Sequence, residues 1–354
     1  MNASVDYRRG YEKWPDKNLE IVDACPLCGS KNYIVFEDGL VDWISTAPTG
    51  LWRLMSCVDC DVKYLSPRPN HESIKKAYDH YYTHSSEKDD LVHHTLRSVK
   101  DSLSNRYYLS SSGGGGKFDR FVYLISRLFF PVSSYLDAKS RHIFSESSAP
   151  GELLDIGCGN GEFLKLADKY GWSVVGVDFD EEAVNEARIS GLDVRVGGIE
   201  AVRDGENYDF ITLSHVIEHV YDPVALINAC YALLNDGGIL WIETPNGKST
   251  GYEIYKSSWR GLEPPRHLML FTESTLSELL FAAGFKSIDQ KLHAMSGVYM
   301  GLASERLLEK TFPCDSTITR SYRNIMKLFR MMYLELMQLI SKEKREFLTL
   351  VVKK

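Results

Sequence analysis

The sequence predicts an α/β protein: a parallel sheet of up to seven strands with helices on both faces, a small N-terminal metal-bound lobe, and helical insertions. Three observations predict it. Between Gly151 and Gly284, short β-rich apolar runs alternate with helical patterns. A glycine-rich turn at 157–161 joins the first such run to the first helix. Two close cysteine pairs, Cys25 with Cys28 and Cys57 with Cys60, stand ahead of that region.

The runs LLDI (153–156), SVVGVD (173–178), DVRV (193–196), YDFITLS (208–214) and GILWIET (238–244) read as strands. Between and after them, 161–170, 180–190, 222–235 and 272–284 carry helical spacing. This alternation implies parallel strands covered on both sides. FKSIDQKLH (285–293) adds a sixth strand, and EFLTLVV (346–352) a seventh, reached through a helical insertion. Upstream, Asn70 opens a helical pattern through Ile74, Ala77 and Tyr81, SSSGGGGKF (110–118) is a flexible link, and an aromatic-rich helix is interrupted at Pro131. The expected division is a lobe at 20–70, a helical linker at 71–150, a core at 151–295, an insertion at 296–342 and a final core strand at 343–354.

Composition narrows the function. A chain of 354 residues with 44% hydrophobic and 25% charged residues is neither disordered nor collagenous. Without an apolar run long enough to span a bilayer or a secretory leader, a cytoplasmic location is expected. Residues 151–245 hold 18 acidic and 5 basic side chains, which disfavours a nucleic-acid partner for that stretch.

At the glycine loop, LLDIGCGNGEFL (153–164), the backbone must turn sharply and approach a ligand without Cβ obstruction. Asp178 closes the next strand, where a carboxylate can accept hydrogen bonds from both ribose hydroxyls. Dinucleotide sites read G-x-G-x-x-G, whereas this loop reads G-x-G-x-G with Asp155 two residues before it. Together with VVGVDFD, the loop resembles the class I S-adenosylmethionine-dependent methyltransferases, whose sheet is Rossmann-like and seven-stranded. The resemblance continues through YDFITLSHVIEHVYDP, LLNDGGILWIETPN and RHLMLFTESTLSELLFAAGF, and is similar to methyltransferases of the ubiquinone-biosynthesis type. It implies that Gly157, Gly159 and Gly161, with Asp155 and Cys158 beside them, pass the methionine moiety of S-adenosyl-L-methionine. It further implies that Asp178 binds the ribose, that Phe179 lies against the adenine, and that Ser214 and His215 border the sulfonium. Such families often read G-D-A-E after the third strand. Here GGIE (197–200) leaves Gly198 without a side chain there and Ile199 with only its backbone to offer.

CPLC and CVDC, 28 residues apart, can set four thiolates, Cys25, Cys28, Cys57 and Cys60, around one tetrahedral zinc. Closed coordination makes that zinc structural, supplying folding free energy to a segment with little core. Asp61 stands where the second knuckle ordinarily has glycine. A zinc lobe ahead of a methyltransferase domain resembles a bacterial group associated with sugar and polysaccharide modification.

His215, Glu218 and His219 fall at i, i+3 and i+4, where they could share a helical face. H-x-x-E-H also matches a metalloprotease signature, which its place after a methyltransferase-like fourth strand makes remote. Related quinone and small-RNA methyltransferases hold a divalent ion with E-x-x-E-H, so a metal on these three residues is a further option. Where the acceptor must lose a proton, imidazole suits the task, and His215 and His267 are the candidate catalytic residues. His267 lies in WRGLEPPRHLMLF (259–271), which reads as a lid over the cleft, or as a loop that His267 braces.

Arg320, Arg323, Lys327 and Arg330 form a basic stripe on a helix, read as a solvated face, a diphosphate contact, a weak membrane-surface contact or a partner surface. Phe118 to Phe130 reads as core or as a homodimer surface, and Tyr78, Tyr81 and Tyr82 as cofactor-entrance residues. The function expected is methyl transfer to a small polar acceptor, a sugar or nucleotide-sugar. The rivals are RNA methylation and a non-catalytic cofactor-binding scaffold.

Overall fold

The computed structural model describes residues 14–42, 50–78, 91–311 and 317–354, and for 91–100, 317–320 and 322 the backbone alone. Five short strands come first: β1 (Leu19–Glu20), β2 (Tyr33–Val41), β3 (Leu51–Cys57), β4 (Lys63–Leu65) and β5 (Arg68–Pro69). The pattern from Asn70 yields only one 3-10 turn, Ile74–Ala77, and Tyr81 and Tyr82 lie outside the described residues. Four helices follow, α1 (Leu91–Ser111), α2 (Lys117–Leu128), α3 (Phe130–Lys139) and α4 (Ile143–Glu146). The glycine link is a turn over 112–116: the Gly116 amide donates to Asp119 (2.8 Å), whose carboxylate pairs with Arg106 of α1 (2.7 Å). The aromatic-rich helix is interrupted as read, α2 ending at Leu128 and α3 starting at Phe130, just ahead of Pro131. The proline sits in the first turn of α3, where its missing amide proton costs no hydrogen bond.

The core alternates as read: β6 (Glu152–Ile156), α5 (Glu162–Lys169), β7 (Ser173–Asp178), α6 (Glu181–Ile189), β8 (Asp193–Val196), β9 (Tyr208–Ser214), α7 (Pro223–Leu233) and β10 (Leu234–Pro245). After it come α8 (Thr250–Tyr255), β11 (Met269–Leu270), α9 (Glu273–Ala282), β12 (Ser287–Lys291), α10 (Ser296–Thr311), α11 (Thr317–Ile340) and β13 (Phe347–Lys353). The seven-stranded sheet runs β12-β13-β10-β9-β6-β7-β8, the Rossmann-like α/β arrangement expected. β13 alone runs against both neighbours. The excursion through α10 and α11 returns the chain where the parallel strands finish, since Phe347 pairs with Pro245.

The N-terminal lobe is not self-contained. Its sheet, β11-β4-β3-β2, takes an edge strand from the segment after β10. That segment is no lid: Trp259, Leu262, Glu263, Arg266, His267 and Leu268 are all buried. Arg266 forks onto Asp42 (2.7 and 2.8 Å), reaches the carbonyl of Ala77 (2.8 Å) and pairs through Nε with Glu263 (3.0 Å). Tyr252 of α8 adds a hydrogen bond to Glu37 of β2 (2.6 Å).

Glu346, just ahead of β13, accepts from the Gly251 amide (2.6 Å) and Trp259 Nε1 (3.0 Å). Burial outweighs those donors and pushes its carboxyl from 4.5 to about 7. Above pH 4.5 the unfolded chain releases this proton while the folded chain keeps it, so stability falls as pH rises towards about 7. Unfolding free energies from urea titrations are expected to decline over that window by on the order of 3 kcal/mol, and Glu346→Gln to flatten this component. An unchanged slope in the variant counts against the assignment.

Candidate active site

The glycine loop follows β6 with three left-handed glycines, Gly157 (φ 74°), Gly159 (φ 52°) and Gly161 (φ 75°). Two are also sterically obligatory. A Cβ at Gly157 would meet Val216 at 2.5 Å, and one at Gly161 would meet Leu192 at 2.6 Å. Asp178, at the end of β7, anchors the loop: its carboxylate accepts from the amides of Gly159 (2.7 Å) and Asp180 (2.8 Å). Each oxygen keeps a further lone pair for a ligand. Phe179 is exposed, and its ring lies against Gly198, where a Cβ would stand 2.9 Å from it. The small residue at 198 thus gives the ring its seat. Ile199 opens a one-turn 3-10 helix beside it.

A cavity of about 590 Å³ extends from this loop across the carboxyl ends of β9 and β10. Such ends are where open α/β sheets bind ligands. Cys158 and Asn160 line it on the loop side, Ser214 and His215 at β9, Glu243 at β10, and His293 just past β12. α1 and α3 roof it with Asn105, Tyr108 and Lys139. Asp178, Phe179 and Ile199 lie outside this lining.

Asp155 does not reach the cavity. Fully buried, it is bonded to Arg141 and to Thr212 Oγ1 (2.8 Å). Arg141, which sequence reading passed over, does line the cavity and stacks on Phe163 at 4.0 Å. No motif marks it; left-handed φ angles at Arg141 and His142 turn it under the loop.

At the opposite end stands a cluster of imidazoles and carboxylates. His215 faces Glu218 through Nδ1 (3.2 Å) and Glu243 through Nε2 (3.6 Å). Glu243 also accepts from His293 Nδ1 (2.8 Å) and Thr349 Oγ1 (2.6 Å). Burial opposes charge on His215, but the two carboxylates outweigh it and push the imidazole to about 10. Burial likewise opposes ionisation of Glu243, yet His293 and His215 hold it well below the usual carboxylate range. Glu243 and His293 were not singled out from sequence. The signal available was their place at strand ends, an acid closing an apolar run and a histidine ending another.

His267 lies elsewhere. Buried, it donates Nδ1–H to the Gly261 carbonyl (2.8 Å) and stands edge-on to His219 at 4.7 Å. The loop-bracing reading fits this geometry; the catalytic one does not. The i, i+3, i+4 helical face is also absent, because Ile217–His219 is a single 3-10 turn. The grouping able to hold a cation is Glu218, His219 and His267, rather than one including His215. His219 and His267 both donate Nδ1–H to carbonyls, of Arg266 (2.9 Å) and Gly261, which leaves both Nε2 lone pairs available beside the Glu218 carboxylate. The Tyr78 hydroxyl stands 3.1 Å from the same His219 Nδ1.

In the lobe, the four cysteines converge as spacing requires, with Cys25 to Cys60 and Cys28 to Cys57 both 3.6 Å apart at sulfur. A tetrahedron of sulfurs about 2.3 Å from zinc has edges near 3.8 Å, whereas a disulfide is about 2.05 Å. The donor set therefore fits a zinc ion. The two knuckles repeat one geometry: Gly29 N donates to Cys25 O (2.9 Å) and Asp61 N to Cys57 O (3.0 Å). Asp61 fills the glycine position with φ 61°, steadied by Lys63 and Lys248, each at 3.0 Å.

A family described as a methyltransferase domain matches residues 132–290. A ubiquinone biosynthesis O-methyltransferase of Xanthomonas axonopodis pv. citri is 30% identical over 43% of this chain and 70% of its own length. Its counterpart in Xanthomonas campestris pv. campestris is 30% identical over 39% of this chain, which spans 64% of that relative. Among solved structures, a SAM dependent methyltransferase from Archaeoglobus fulgidus is 22% identical, with TM-score 0.42 over 62% of this chain and 93% of that one.

Proposed function

This chain belongs to the S-adenosylmethionine-dependent methyltransferase family, and from that premise we propose that it methylates a small polar acceptor held at the Glu243–His293 end of the cavity. The supporting observation is the cavity itself, which joins the glycine loop to a charged, hydrogen-bonding floor at Glu243, His215 and His293. When bound, S-adenosyl-L-methionine supplies a methyl group activated on a sulfonium. Asp178 accepts the ribose hydroxyls, Phe179 covers the adenine and Arg141 pairs with the methionyl carboxylate. His215 faces carboxylates through both nitrogens, so it orients and stabilises the floor rather than accepting a proton. The rate gain comes from aligning acceptor and methyl in the cavity. A zinc ion on the four cysteines and a divalent cation on Glu218, His219 and His267 are part of this reading, both structural.

The acceptor class favoured is a sugar or nucleotide-sugar, from the zinc lobe and the polar floor. A phenolic acceptor, as the names of the relatives describe for those proteins, is the second reading, favoured by the sequence match. Calorimetry is expected to give S-adenosylmethionine binding that Asp178→Ala weakens at least about tenfold, since hydrogen bonds to a charged group contribute about 1.5–3 kcal/mol. No binding by the unaltered chain overturns the proposal. Release of S-adenosylhomocysteine with nucleotide-sugars but not catechols supports the first acceptor class, and the reverse overturns it.

A further inference from the structure

The long helix α11 is amphipathic in the unexpected sense. Two cations of its basic stripe are directed to α10: Arg330 pairs with the buried Glu305 (2.6 Å), and Lys327 reaches the exposed Glu309 (4.0 Å). Met331 and Leu334 pack on α10, where Gly297 and Gly301 allow close approach: a Cβ there would stand 2.9 and 2.5 Å from α11 atoms. The basic stripe is therefore neither a solvated face nor a phosphate site over Lys327 and Arg330. Arg320 has no described side chain.

What faces solvent is apolar. Ile325, Phe329, Met332, Leu336 and Leu339 are between 51% and 61% exposed, with Leu328, Tyr333 and Ile340 exposed beside them. At roughly 100 Å² for each of these side chains, the stripe offers roughly 800 Å², the contribution of one partner to a standard stable interface. Patches of this size mark contact surfaces.

We propose that this stripe is the dimer interface of the protein, α11 packing antiparallel on α11 of a second copy. Three features select that occupant. The seam is spaced 4, 3, 4, 3, the repeat with which helices pair through knobs and holes. It is also self-complementary: a twofold axis between Met332 and Tyr333 sets Ile325 against Ile340 and Phe329 against Leu336, as an isologous contact requires. Finally, Lys327 and Arg330, which would rim a lipid-binding helix, are directed to α10, whereas interfacial helices display such cations beside the apolar face. With no charge in the seam, two copies meet without repulsion.

Light scattering on the full chain at about 50 µM is expected to give twice the chain mass. Phe329→Glu with Leu336→Glu is expected to weaken association at least about 100-fold, because it buries like charges at the centre, while leaving the unfolding midpoint of the protomer and S-adenosylmethionine binding unaltered. Independently, Met332→Cys is expected to cross-link two copies on mild oxidation, and Phe121→Glu on the exposed face of α2 to leave the dimer intact. A monomer at that concentration overturns the proposal, as does a dimer that survives the double substitution. Binding of the monomer to anionic vesicles through this stripe also overturns it, in favour of a lipid surface.

Discussion

Replacing Arg266 by methionine is expected to destabilise the folded chain by about 3–5 kcal/mol and to loosen the N-terminal lobe from the core. The guanidinium is wholly buried and serves Asp42, Ala77 and Glu263 together. Methionine fills much of the volume, so the cost is not a cavity. It is the removal of the cation from two buried carboxylates, whose desolvation it offsets. Asp42 follows β2 and Arg266 precedes β11, so the pair ties together the segments at the two edges of the lobe sheet, in which Met269 of β11 lies opposite Tyr64 of β4. Urea unfolding followed by fluorescence reads this region directly, because Trp52 and Trp259 lie in one cluster with Leu268 and Leu270. A loss below about 1 kcal/mol would mean the pair is replaceable by packing. The double variant Arg266→Met with Asp42→Leu is expected to recover part of the loss, since no lone charge is then buried at that pair.

Removal of zinc has the other large expected effect. Protein prepared without chelators is expected to carry about one zinc on the four cysteines, and Cys25→Ser to lose it. Cys25 and Cys57 are buried against Met55, Val62 and Tyr64, so the thiols are part of the lobe's packing as well as its ligands. Structural zinc contributes about 10–16 kcal/mol of binding free energy to small folded units, far above what β2–β4 can gain from their own core. Chelation is therefore expected to abolish protection of the β2–β4 amides in hydrogen exchange, while those of β6 to β10 persist. If metal analysis finds no zinc bound at these thiols, the assignment fails.

The comparison of sequence with structure follows one physical line. The five parallel strands β6 to β10 were legible because buried parallel strands must be apolar and their connections helical. The glycine loop was legible because three left-handed backbone positions within five residues suit glycine. The cysteine centre was legible because two tight turns bring four sulfurs together almost irrespective of the rest. What misled was local pattern without a partner. The basic spacing on α11 read as a solvated face, because nothing local reveals that Glu305 and Glu309 lie opposite. The segment 259–271 read as a lid because proline, tryptophan and arginine suit a loop, yet Asp42, 224 residues away in sequence, buries it. His267 shared a candidate role with His215 on its imidazole chemistry and its place after the fifth strand. Only its hydrogen bond to Gly261 shows it turned away from the cavity.

By itself, then, the sequence determined the strand order's raw material, the cofactor-loop geometry and the four-sulfur centre, each set by contacts within a few residues or by a steric prohibition. The tertiary structure alone decided that Arg141, Glu243 and His293 share a cavity, that the lobe's sheet is completed by the core, and that α11 presents its apolar side outward. Those outcomes depend on side chains brought together from distant elements, where burial and charge pairing, rather than local propensity, choose which face points in.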